Sequence, residues 1–167
     1  TNLTSHVAIT KKFLPIFEIK NSHGVIINIS GGGATKPMPG FTSYAAAKTG
    51  LSRFTETLAI ELQKDNFYCY SLAPGFMKTN IHKLVFSNKK KLNKNVFLDI
   101  KKNYEQGGFD SYLAAEACYK LVQNKNKKIS GMHLSAIYDD IKKITKKKNS
   151  SNVYKLRRID DMFFREK

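Results

Sequence analysis

Tyr44 and Lys48, four positions apart, are the residues whose types and spacing most directly suggest chemistry. Within a helix this interval puts both side chains on one face, about 5–6 Å apart at Cβ. A phenol is a poor acid or base near neutrality, with an ordinary pKa of about 10. A neighbouring ammonium stabilises the phenolate, and each unit of lowering corresponds to about 1.4 kcal/mol. The pair therefore makes a tunable proton donor or acceptor. Taken alone, the same spacing also fits an exposed tyrosine packed on a lysine stem.

The elements that must position this pair can be read from the apolar pattern. Leu3, Val7, Leu14 and Phe17 recur at helical spacing, which predicts an amphipathic helix over Leu3–Ile19 with Pro15 bending its last turn. The turn Asn21-Ser22-His23-Gly24 follows it. Val25–Ile29 is a short, β-branched apolar run, the pattern of a parallel strand buried on both faces, and it empties into Gly31-Gly32-Gly33. Ser43–Lys64 reads as a helix with Leu51, Phe54, Leu58 and Leu62 in one stripe, so Tyr44 and Lys48 stand in its first turns. Phe67–Ala73 is a second buried strand halted by Pro74-Gly75, and Thr79–Asn103 is polar, lysine-rich and only weakly periodic, a mobile helical insertion above the strand ends. A firmer helix opens at Phe109-Asp110, capped by Asp110 or Ser111, and Gly131–Ala136 is a third strand. Lys146–Asn152 reads as a linker to the short segment Val153–Arg158.

Composition narrows the classes. The 167 residues, 41% hydrophobic, suit one compact core. No apolar run approaches the roughly 20 residues that cross a bilayer, and the first residues lack a secretory pattern, so a cytoplasmic protein without a membrane partner is expected. Cys69 and Cys118 sit in apolar stretches without CxxC spacing, and His6, His23, His82 and His133 do not pair at ligand intervals, so no metal site is expected. Met77 and Met132 read as packing residues. The net charge of +16 raises nucleic acid as a partner. Its lysines gather in Lys89–Lys94, Lys125–Lys128 and Lys142–Lys148 beside Asn and Ser, with few interleaved aromatics, which makes nucleic acid an unlikely partner and solvated surface the expectation.

In order and spacing these stretches resemble the short-chain dehydrogenase/reductase family from Asn2 to about Asp139. GVIINIS resembles the strand leading into its active site, SYAAAKTGLSRFTETLAIEL its catalytic helix, SLAPGFMKT its strand and P-G-x-x-x-T cofactor turn, and SGMHLSA its closing strand. The resemblance implies that Tyr44 is the general acid in carbonyl reduction and the base in alcohol oxidation, with Lys48 lowering its pKa and binding the nicotinamide ribose. It implies that Asn2 anchors a water in the proton relay, and that Pro74, Gly75 and Thr79 pass the nicotinamide and phosphates of NAD or NADP. A small alcohol or carbonyl substrate is expected, hydroxylated or sugar-like because the insertion is polar, together with a homo-oligomer packed through Leu3–Ile19 and Ser43–Lys64.

Two departures stand against that pattern. The family's catalytic serine position is occupied by Gly31; Ser30 is adjacent and can serve if the glycines shift the backbone by a residue, or it is simply the last residue of the strand, and Thr42 and Ser43 are further candidates. A bacterial subgroup with a similar GGGAT stretch resembles this chain in ATKPMP, SAIYDD and YKLRR, which makes Gly31 a subgroup trait. The second departure is that the glycine-rich cofactor loop and the N-N-A-G strand, about a hundred residues before Asn2 in such a dinucleotide fold, do not occur in this sequence. The expected fold class is therefore α/β, a Rossmann-like parallel sheet with helices on both faces whose N-terminal half is absent from this chain. Residues 1–140 are expected to form the catalytic part and 141–167 a basic tail. The rival expectation is a non-catalytic interaction module or polyanion-binding protein of the same truncated fold.

Overall fold

A computed structural model describes residues 1–19, 24–63, 66–88 and 92–146. Three strands, β1 (Val25–Ile29), β2 (Tyr68–Ala73) and β3 (His133–Ser135), lie side by side in that order and all run parallel. Parallel neighbours need long crossovers, and each crossover here carries helices. Helix α1 (Thr4–Ile19, with Pro15 inside it) precedes β1, and α2 (Thr42–Glu61) joins β1 to β2. The longer crossover from β2 to β3 contains α3 (Ile81–Ser87), α4 (Lys94–Glu105) and α5 (Ser111–Gln123), and α6 (Ile141–Thr145) follows β3.

Strand alternation distributes the core to two faces. On one face Cys69 packs with Leu58 and Ala59 of α2, its C-cap Leu62, Phe67, and the partly buried Leu14 of α1 and Ile26 of β1. On the other, Tyr70, Leu72 and Leu134 pack with Ala117 and Leu121 of α5 and Ile141 and Ile144 of α6. This is the helix-on-both-faces parallel sheet expected, with β1 and β3 as its edges.

Element ends moved by a residue or a few, as frayed ends do. The third strand is shorter than Gly131–Ala136 because Gly131 turns with φ +85 and its N–H donates to the Cys69 carbonyl at 2.7 Å, starting the ladder before the regular strand begins. Asp110 caps α5, accepting from the Tyr112 N–H at 2.9 Å. Ile141 and Ile144 of α6 are buried in the main core, and Asn126 donates to the Thr145 carbonyl at 2.6 Å. The expected turn at residues 21–23, the lysines at 89–91, the linker from 147 and the YKLRR segment lie outside the described residues.

The described residues 79–88 and 92–103 hold more order than their weak periodicity suggests. Phe76 and Tyr104 flank His82, with ring centroids 4.5 and 5.6 Å away, and Phe86 meets Tyr104 and Phe97 edge to face. These rings join α3 to α4, while Asn93 caps α4.

Candidate active site

All three strands point their C-terminal ends at the same edge of the sheet, where ligands of open α/β folds bind. From β1 come Ser30 and Gly31; from β2, Pro74 and Gly75; from β3, the turn at residues 136–140. Gly75 needs its left-handed φ of +87, and a Cβ there would meet Ile137 Cγ1 at 2.5 Å, so the Pro74-Gly75 turn and the turn after β3 are pressed together. Ser135 holds the latter turn, its N–H donating to the Asp139 carboxylate at 2.7 Å and its hydroxyl accepting from the N–H groups of Ile137 and Tyr138.

Tyr44 and Lys48 occupy the first turns of α2 on one side of this edge. Lys48 is buried, and its Nζ donates to the Ile29 carbonyl at 2.8 Å, at the last residue of β1. The ammonium stands 5.9 Å from the centroid of the half-buried Tyr44 ring. Burial pushes the phenol above its ordinary value and the ammonium below its own. The sign for Tyr44 is opposite to the lowering expected from the spacing, because burial desolvates the phenol while the Lys48 ammonium gives its bond to the Ile29 carbonyl.

The Tyr44 hydroxyl lies against Gly31, inside the space that a Cβ at position 31 would take. Ser30 is buried and turns its hydroxyl to Ser52 of α2, 3.2 Å away; its hydroxyl belongs to a buried polar cluster. Thr42 and Ser43 are exposed at the start of α2. Asn2 is exposed just before α1, whose approach to α2 is marked by Leu3 Cδ2, 3.1 Å from where a Cβ on Gly50 would stand. Thr79 is exposed, with its N–H and hydroxyl 3.3 and 3.4 Å from His82 Nδ1. The insertion touches the turn before α2 through Leu92, whose Cδ2 lies 3.0 Å from the position of a Cβ on Gly40.

Sequence reasoning missed the cluster behind the pair. Ser52 lies 3.0 Å from both Ser71 Oγ and His133 Nδ1, and Ser71 lies 3.1 Å from the same nitrogen. One turn further along α2, Thr55 accepts from Asn28 Nδ2 at 2.9 Å. Burial lowers the His133 pKa, partly opposed by the Asp139 carboxylate. The available signal was that Lys48, Ser52 and Thr55 follow Tyr44 on one helix face, polar where the sheet-facing stripe is otherwise apolar. Among the described residues no cluster of His, Cys, Asp or Glu is arranged to hold a metal ion, and no helix is long and apolar enough to cross a membrane.

The parallel sheet with helices on both faces is Rossmann-like, and it carries the Tyr-Lys pair at its C-terminal edge. A family model described as short chain dehydrogenase matches residues 1–90, and the chain belongs to that family. It is 37% identical over 90 residues to dehydrogenase/reductase SDR family member 4 of Homo sapiens, covering 54% of this chain and 32% of that protein. It is 29% identical over 156 residues to estradiol 17-beta-dehydrogenase 2 of Mus musculus, covering 92% of this chain and 39% of the relative. Among solved structures, a short chain dehydrogenase/reductase of Saccharomyces cerevisiae superposes with a TM-score of 0.73 at 20% identity, over 84% of this chain and 55% of its own. An actinorhodin polyketide ketoreductase with NADPH gives a TM-score of 0.65 at 22% identity, over 81% of this chain and 54% of its own. A 4-hydroxyisoleucine dehydrogenase complexed with NADH gives 0.64 at 22% identity, over 80% and 54%. The chain thus spans about a third of the length of these curated relatives and about half that of the solved structures.

Proposed function

We propose that this chain is the catalytic part, through α6, of an NAD- or NADP-dependent enzyme that interconverts an alcohol and a carbonyl, and that Tyr44 moves the proton. The observation that carries this reading is the placement of Tyr44 and Lys48 on one face of α2, at the end of β1, with the phenol against Gly31. The residues present suit the nicotinamide end of such a cofactor. Lys48 gives one N–H to Ile29 and retains two more for ribose hydroxyls. The Pro74-Gly75 turn presents backbone without a side chain at the same edge, and the Thr79 hydroxyl is exposed nearby in sequence. Asn2 and Ser30 complete the proposed catalytic set, Asn2 as a water anchor and Ser30 through its bond to the helix of Tyr44.

The bound cofactor supplies or accepts the hydride. This chain's part is to hold the reacting carbon beside Tyr44, give the phenolic proton to the developing alkoxide, and exclude water. The phenol is protonated around neutrality, as the acid of carbonyl reduction must be, and burial makes it hold that proton more tightly. In the oxidation direction the same phenol must first lose its proton. The polar sequence of the insertion supports a hydroxylated, sugar-like substrate, and the exposed apolar residues of α1 support a homo-oligomer.

The test is Tyr44→Phe in the intact protein that carries this chain, assayed with a panel of polyols and ketones and either nicotinamide cofactor. Turnover falls by at least about 10²-fold while cofactor affinity changes little, the loss expected of a general acid. Unchanged turnover in that variant overturns the reading.

A further inference from the structure

On α2, Ser52 follows Lys48 by one turn and Tyr44 by two, so the three share one face of the helix. The Ser52 hydroxyl is the hub of the buried cluster. Ser30, just after β1, lies 3.2 Å from it, and Ser71 of β2 and Nδ1 of His133 on β3 lie 3.0 Å from it; Ser71 is also 3.1 Å from that nitrogen. Two members of the cluster bracket the phenol. Ser30 immediately precedes Gly31, against which the Tyr44 hydroxyl packs, and Ser52 belongs to the helix that carries Tyr44. Whatever fixes Ser52 to Ser30 therefore also fixes how Tyr44 meets Gly31.

The hydrogens available decide which state of the imidazole fits. Ser30, Ser52 and Ser71 each have one hydroxyl hydrogen. With Nδ1 a bare acceptor all of them are used: Ser30 donates to Ser52, while Ser52 and Ser71 between them make one mutual bond and one bond to the ring. With a hydrogen on Nδ1 the ring can only donate, and three hydroxyl hydrogens are left with two hydroxyl–hydroxyl contacts. One is then stranded among buried serines, which is unfavourable. The cluster calls for a neutral ring with its hydrogen on Nε2.

The charges around the ring agree with that state. Burial disfavours the imidazolium most, and the Asp139 carboxylate in the turn after β3 opposes it. On α2, Lys48 and Glu56 lie a turn to either side of Ser52, Lys48 bonded to the Ile29 carbonyl and Glu56 paired with Arg53. On β2, Cys69 shares the face of Ser71, and burial pushes its thiol up to about 12, so it is neutral.

We infer that His133 is a positioning residue for Tyr44: its bare Nδ1 ends the run of hydroxyl bonds that fastens α2 to the end of β1, and protonation of the ring loosens that fastening and shifts the phenol on Gly31. For its effect on turnover the inference rests on the dehydrogenase reading. His133 acts through Ser52 and touches neither substrate nor hydride, so its influence falls on kcat and leaves KM nearly alone.

Two measurements on the intact protein that carries this chain need no substrate. With nitrogen-15-labelled histidine, the His133 signals, assigned by their loss in His133→Asn, are expected to report the Nε2–H tautomer at neutral pH; an Nδ1–H tautomer overturns the inference. With carbon-13-labelled tyrosine, the Tyr44 ring signal, assigned by its loss in Tyr44→Phe, is expected to shift with the same midpoint as His133 when pH is lowered. It is expected to stay flat over that range in His133→Asn, whose Oδ1 can accept where Nδ1 did but takes up no proton. A Tyr44 signal indifferent to the protonation of His133 also overturns it. The third measurement is turnover on the polyol and ketone panel with either cofactor. His133→Leu is expected to lower kcat by about 10²-fold with KM little changed, the loss typical of a small misplacement. His133→Asn is expected to keep most of kcat and to lose the fall in kcat that accompanies protonation of His133 in the wild type. Equal losses in the two variants, or a wild-type kcat that holds while His133 is protonated, sink the positioning role. Wild-type protein inert toward the whole panel sinks the dehydrogenase reading instead, whereas the tautomer and the Tyr44 shift read the placement of His133 by themselves.

Discussion

The Tyr44 hydroxyl fills the space that a side chain on Gly31 would need. The backbone at Gly31 is extended, with φ 178 and ψ 173, a conformation open to any residue, so the requirement for glycine there comes from the phenol and not from the torsion angles.

Gly31→Ser therefore separates two expectations. If the site merely lacked the hydroxyl found in its family, restoring it would raise activity by the 10²–10³-fold typical of an oxyanion donor. The contact with Tyr44 leads to the opposite result. The added Cβ displaces the ring, and a shift of about 1 Å at a reacting group costs about 10²-fold. A fall in kcat/KM, with the melting temperature nearly unchanged because the ring's outer end can swing, is the expected outcome.

His133 makes stability depend on pH. Its folded-state pKa lies below the ordinary value, so the unfolded chain binds the proton more readily. Its contribution is then full above about pH 6.5 and is lost as pH falls through the depressed value, with a slope of at most about 1.4 kcal/mol per pH unit. His6, also depressed, acts with the same sign. Urea midpoints measured from pH 8 to pH 5 should fall along this limb, and His133→Gln should make the limb shallower.

Leu72 is fully buried near the C-terminal end of β2, the middle strand, among residues from α5, α6 and β3. Leu72→Ala should destabilise the protein by about 2–5 kcal/mol, by lost transfer energy and an unfilled cavity. Exposed Val122→Ala is the comparison, with an expected change within about 0.5 kcal/mol.

Ile9, Phe13 and Ile16 form one exposed apolar row along α1, and Ile60 is 67% exposed on α2. A row of this kind is expected to be covered by a second copy, as an isologous contact between helix pairs. Sedimentation or light scattering on the intact protein should show a species larger than the monomer, and Phe13→Asp with Ile60→Asp should reduce it without loss of helical circular dichroism.

Much of the architecture was legible because it is local. Val25–Ile29 and Tyr68–Ala73 announce themselves by β-branched and aromatic runs ended by glycine or proline, and the four-residue interval from Tyr44 to Lys48 puts them on one face of any helix. What escaped is non-local. Ser30, Ser52, Ser71 and His133 come from four separate elements, and none carries a local sign that its hydroxyl or imidazole is meant for the others. The rings of Phe76, His82, Phe86 and Tyr104 were hidden in the same way by intervening lysines, which lowered the periodicity of the segment. The phenol's raised pKa was beyond reach for a different reason: spacing reveals a charged neighbour but not how much water the fold removes.

The polar contacts under α2 also say how that helix is held. Greasy surfaces tolerate sliding, since one methyl group replaces another with little penalty. Here Thr55 meets Asn28, and Ser52 meets Ser30, Ser71 and His133, each within a hydrogen bond's length. Sliding the helix by one turn would leave these groups dry and unmatched, at about 1–3 kcal/mol apiece. They work like the notches of a key: a misplaced helix is penalised several times over, and the phenol at its tip is indexed to a single height above the sheet.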